Sequence, residues 1–228
     1  MFGVACFGLM ASSISSAQGG DGIIKLNKSF QRELIEMGKQ DQRYRYQLTE
    51  LGGKLSEPDE TRSTEEFSEL LKKQDKIDQE NIKRLEELIA HYGWPTISLV
   101  GKEGSKAAFL IIQHADFSYQ KKYFSSIKEA ASRNEALPAD AAMMEDRILV
   151  REGKKQIYGT QLFSDAAHGW QLYPIEDEEN VDSRRARVGL TPMAENLKRF
   201  GLEYKPPRKK ENDASSKEFV GEKQPRMP

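Results

Sequence analysis

Cysteine is almost missing from these 228 residues: the one example, Cys6, lies in the first few positions. If that end is removed, the rest has no disulfide and no thiol nucleophile. Histidine is nearly as scarce, at three residues, His91, His114 and His168, too scattered for a recognisable metal motif. No His-Glu-x-x-His occurs, and no two histidines stand four apart. A metal held by His114, Asp116 and a distant carboxylate stays open on sequence alone, but we assign none, and no cofactor. Gly-x-Ser-x-Gly is absent, as is a phosphate-cradling glycine loop. Excess charge is absent too, the net being −1, which argues against a nucleic-acid binder relying on phosphate contacts.

What is present centres on residues 107–116, AAFLIIQHAD. Six apolar residues run without a break into Gln113, His114 and Asp116. Such a run is too short to span a bilayer and fits a helix buried in a core. Its polar end then starts inside the protein. Buried polar groups left unpaired cost about 1–3 kcal/mol each, so other segments must bring partners to Gln113 and His114.

The opening MFGVACFGLMASSISSAQ is apolar, then small, with no charge before Asp21. Residues 1–17 read as a signal peptide ending at Ser15-Ser16-Ala17, although a basic start is missing. The expectation is a periplasmic or secreted protein, not integral to the membrane once the leader is removed. Residues 27–200 are expected to form one globular domain. Residues 205–228, with Pro206-Pro207 and Arg208-Lys209-Lys210 but few large apolar residues, are expected to be a disordered tail.

Within the domain, Asn27 or Ser29 can cap a helix running to about Leu51, with Phe30, Leu34, Met37, Tyr44 and Leu48 as apolar positions and Gly52-Gly53 as its end. Asp41 and Arg45, one turn apart, read as a surface ion pair. A second helix over 64–92 carries the stripe Phe67, Leu70, Leu71, Ile77, Ile82, Leu85, Leu88 and Ile89, with a capping box at its start. Asp78 and Asn81 fall beside that stripe. Gly93-Trp94-Pro95 breaks the helix. Helices follow over 117–133 and 139–146. A hairpin is expected from 148–151 and 156–163, with 170–175 as a third strand. The fold class is therefore α+β, mainly α-helical: a helical bundle with a small antiparallel β hairpin or meander.

Four short motifs stand in a fixed order: Tyr92-Gly93-Trp94-Pro95, Gln113-His114-Ala115-Asp116, Asp146-Arg147 and Tyr158-Gly159-Thr160-Gln161. In this order and spacing they resemble those of an uncharacterised bacterial family known only as a domain of unknown function. The likeness extends to Asp41-Gln42 with Arg45, to Asp78 with Asn81, and to Val181-Asp182-Ser183-Arg184-Arg185 before Val188-Gly189-Leu190. It implies no named activity.

From the residues themselves, His114 is the one group in the buried region that titrates near neutral pH. Asp146, Arg147, Tyr158 and Gln161 are its expected partners. Asp78, Asn81, Trp94 and Gln113 complete the candidate ligand-binding set. Two readings follow. One is an extracytoplasmic domain with a polar ligand-binding or bracing site centred on His114, facing a small molecule or a cell-envelope component. The other is a hydrolase or lyase using His114 as general acid or base, with Asp146 and Gln161 beside it and Arg147 as an anion clamp.

Overall fold

The computed structural model describes residues 26–54, 60–165 and 169–206. The expected leader and all of the tail beyond Pro206 lie outside them. Among the described residues the chain is mainly helical with one two-stranded antiparallel sheet, as expected.

The first helix, α1 (Lys28–Gln42), is capped by Asn27, whose side chain accepts from Phe30 N at 3.0 Å. Phe30, Leu34 and Met37 are buried on one face, and Asp41 continues the same stripe. This face lies against α4 (Ile97–His114) so closely that a β-carbon on Gly38 would sit 2.8 Å from that of Ala107. Helix α4 is the buried helix foreseen from 107–112, and Ala107 through Gln113 are buried except for the half-buried Leu110. Gly101, at φ 71°, breaks α4 near its start and separates one short turn, capped by Thr96, from the main run.

The first expected helix does not run to Leu51. It stops at Gln42 and resumes, after Arg43-Tyr44, as α2 (Arg45–Lys54), which continues through Gly52-Gly53. A side chain from α3 (Glu60–Tyr92) causes the break: Gln74 Nε2 donates to Asp41 O at 2.9 Å, and its Oε1 accepts from Tyr44 N at 3.3 Å. Both backbone groups would otherwise serve the helical ladder. Helix α3 starts before Ser63, so the expected capping box falls inside it. Leu70, Ile82, Leu85 and Leu88 are buried as anticipated, but Leu71, about 100° further round the helix, is exposed. Gly93, at φ 80°, closes α3 and donates to Ile89 O.

Helices α5 (Phe117–Ser132) and α6 (Pro138–Arg151) pair with each other and complete the bundle core with Tyr123, Ile127, Met144 and Ile148. Residues 148–151, expected as a strand, extend α6 instead. Met144 and Ile148 repeat at helical spacing on the core, and a short aliphatic run does not distinguish helix from strand by itself. The expected Glu152-Gly153 turn ends this helix. The sheet comes later, as β1 (Leu162–Asp165) and β2 (Gly169–Leu172), with Leu162 opposite Leu172 and Phe163 opposite Gln171. Gln156 and Ile175 form an isolated parallel bridge rather than strands. Helices α7 (Val181–Arg187) and α8 (Met193–Lys198) close a second apolar cluster of Leu162, Ile175, Val181, Met193 and Leu197.

Candidate functional site

Two polar assemblies are buried in this frame. One joins the C-terminal ends of α1 and α4. His114 Nδ1 lies 2.8 Å from Asp41 Oδ2 and 3.1 Å from Oδ1, with Asp41 only 1% exposed. Beyond Asp41 stands Arg45, the first residue of α2. Its Nη2 is 3.3 Å from Asp41 Oδ1 and 2.6 and 2.7 Å from the two oxygens of Asp78 on α3. Gln74 Nε2 donates to Asp78 Oδ1 at 2.8 Å as well as to the Asp41 carbonyl. Gln42 Nε2 donates to Asp41 Oδ2 at 2.6 Å. Four elements thus contribute to one chain of ionisable groups.

Burial pushes the Asp41 carboxyl upward, but the His114 hydrogen bond and charge, with Arg45 behind them, outweigh it and hold it below its ordinary value. Asp41 is therefore ionised near neutral pH. A carboxylate only accepts, so the proton between the two residues sits on His114 Nδ1. Nε2 is then the ring atom through which a proton can be taken up or released. Asp78 goes the other way: burial raises it more than Arg45 and Gln74 lower it.

The second assembly holds the loop after α6. Asp146, fully buried, accepts from Ile157 N at 2.7 Å, Tyr158 N at 3.0 Å and Thr160 N at 3.0 Å, and from Thr160 Oγ1 at 2.9 Å. The same loop's carbonyls are held from the other side. Arg184 Nε donates to Ile157 O at 2.9 Å, and Arg185 Nη1 to Tyr158 O at 2.6 Å. Gln156 spans the loop base, donating to Gln161 O and Tyr173 O while accepting from Gln161 N. Gly159, at φ 67°, is required twice over, since a β-carbon there would come within 2.6 Å of Met193 Sδ. Burial raises the Asp146 carboxyl, and the loop amides pull it only part of the way back.

Among the expected partners of His114, Asp146 is placed differently from the sequence reading. Asp146 serves the loop, and the carboxylate on His114 is Asp41. Tyr158 enters through its backbone, and the Gln161 side chain reaches Thr160 Oγ1 at 2.9 Å and Met143 O at 3.5 Å. Arg147 is buried on α6, 7% exposed. Gln113 is buried one residue before His114, and Gln120 Nε2 caps that helix end on the carbonyls of Gln113 and Ala115. Asn81 ties α3 to α1 through Met37 O at 3.2 Å. Trp94 packs near Tyr123, ring centroids 5.8 Å apart.

Asp41 was misplaced as a surface residue, and Gln74 was missed. Both carried a legible signal. Positions 30, 34, 37 and 41 step by four, three and four, as do 70, 74, 77 and 81, so each polar residue continues a buried stripe. Among the described residues no group of three or more His, Cys, Asp or Glu is placed to hold a metal ion. No described helix is long and apolar enough to cross a membrane.

A family model described as a family of unknown function, DUF6624, matches residues 28–205, and the chain belongs to that family. No curated protein matches, and neither does any solved structure.

Proposed function

We propose that the Asp41–His114 pair is the proton-handling centre of a polar ligand site, with Arg45, Asp78 and Gln113 around it. The observation that carries this reading is the contrast between the two buried assemblies. Around Asp146 nearly every donor is a backbone amide, which is how a protein braces a loop. Around His114 the contacts run between ionisable side chains from separate helices. Burying several charges is a costly way to stabilise a fold, because desolvation offsets much of the attraction. Sites that move protons need such pairs, with a carboxylate fixing the tautomer and orientation of the imidazole. A hydrolase or lyase reading fits the same geometry once Asp41 takes the supporting role given to Asp146 from the sequence.

The ligand class proposed is a small polar molecule or a cell-envelope fragment, with the protein periplasmic or secreted. The apolar opening segment supports that location, and N-terminal mass spectrometry of the native protein tests it: mature chain beginning near Gln18 is expected, and intact Met1 on a cytoplasmic protein would contradict it. The site itself is tested by NMR titration of the full chain with soluble cell-envelope fragments while the His114 ring is followed. A saturable shift that Asp41→Asn abolishes is expected. A ring resonance unmoved by every fragment would overturn the reading.

A further inference from the structure

Beside the second apolar cluster the surface opens into a cleft of about 510 Å³, between β2, the 3-10 turn Glu178–Asn180, α8 and residues 202–205. Small-molecule sites span roughly 300–1,000 Å³, so the cleft has the size of one. None of its walls belongs to the His114 site. Trp170, Leu172, Leu197, Leu202 and Tyr204 form its apolar side, and each belongs to the cluster or packs against it, so these walls are held from behind. Trp170 is braced further by Phe200, edge-on with ring centroids 5.5 Å apart. A half-buried indole fixed in this way gives the cleft an aromatic wall.

The polar wall decides what fits against it. Glu203 and Lys205 offset each other, with Nζ 3.5 Å from Oε1, and Gln171 has a partner of its own. Glu178 lies near Tyr204 and makes no ion pair among the described residues. Tyr204 does not change that charge: burial, and then Glu178 itself, pushes the phenol up to about 12, so the hydroxyl stays neutral. Asp182 and Arg185, which also act on this phenol, do so with opposite signs. One negative charge is therefore left over on a wall shared with an indole. An anion would be repelled. A sugar ring needs several donors and acceptors around its hydroxyls, whereas the one uncommitted polar group here is a carboxylate. A cation answers both walls, because positive charge is drawn to a carboxylate and to an indole face alike. We infer that the cleft binds an organic ammonium ion, its charge answered by Glu178 and Trp170 and its alkyl groups covered by Leu172, Leu197 and Leu202.

The test is an NMR titration of the full-length, nitrogen-15-labelled chain. Its two tryptophans are Trp94 and Trp170, and Trp170→Phe assigns their indole N–H signals. The probes are choline, the neutral alcohol in which carbon replaces choline's nitrogen, and N-acetylglucosamine. Choline is expected to shift the Trp170 indole saturably and leave Trp94 unmoved, with the alcohol at least about tenfold weaker. Glu178→Gln should weaken choline at least about tenfold and leave the alcohol unchanged, whereas a loss of structure would weaken both. If that variant fails to fold, the comparison of choline with the alcohol on the unaltered chain still decides. Equal affinity for choline and the alcohol, N-acetylglucosamine bound in preference, or no saturable shift at Trp170 would each overturn the inference.

Discussion

His114 Nδ1 sits 2.8 Å from Asp41 Oδ2, so residues 73 positions apart in sequence meet where α4 and α1 end side by side. The contact is made possible by Gly38 and Ala107, which let the two helices approach until a single added β-carbon would clash. Packing of small residues thus sets the distance at which a carboxylate can orient an imidazole.

The loop brace makes a stability prediction. Asp146→Asn replaces one acceptor oxygen with an NH2 facing the Thr160 amide and hydroxyl, leaving donors without acceptors in a fully buried place. A loss of at least about 2 kcal/mol in urea denaturation is expected. A change under about 0.5 kcal/mol would show that the loop does not depend on this carboxylate.

Two glycines separate backbone strain from crowding. Gly93 and Gly159 both have positive φ, but a β-carbon at Gly93 meets nothing within 4 Å, while one at Gly159 runs into Met193 and Ile175. Gly93→Ala should cost about 1 kcal/mol, from the left-handed conformation alone. Gly159→Ala should cost clearly more, about 2–4 kcal/mol, because strain and overpacking add. Equal losses in thermal melts would mean that the neighbours of Gly159 give way.

Much of this was readable from the residues. The buried run before His114, the α3 stripe and the stop at Gly93 all follow from local spacing, which a helix enforces every three or four residues. The break after Gln42 does not, because Gln74, more than thirty residues on, supplies its hydrogen bonds. The strand expected at 148–151 failed for a related reason: four aliphatic and charged residues fit either period, and only the core beneath Ile148 decides. As for the candidate site, the burial leading up to His114 was legible because its apolar approach is local. Its partner was misassigned because Asp41 was read as one half of a local ion pair instead of as the next member of the stripe through Phe30, Leu34 and Met37.

Acid should act on the two buried carboxylates with opposite signs. Asp41 is held below the ordinary value of 3.8, so the stability it contributes is present above that pH and is lost as pH falls through its lower folded value. Asp146 is raised above 3.8, so its contribution is present below that pH and is lost as pH rises through the higher folded value. Accordingly, the stability gap between the unaltered chain and Asp41→Asn should narrow as pH drops below 3.8. Urea midpoints measured across that range check it, and a widening gap would refute the assignment of Asp41 as the ionised partner of His114.

The central claim is that His114 is kept for chemistry and Asp146 for the fold, and a urea melt of His114→Ala tests it most directly. Removing the imidazole leaves Asp41 with Arg45 and Gln42, so its carboxylate keeps partners. The predicted outcome is a change of less than about 1 kcal/mol, or a gain, as for groups that serve function at some cost to stability. A loss above about 2 kcal/mol would contradict the account and make the Asp41–His114 contact a structural lock.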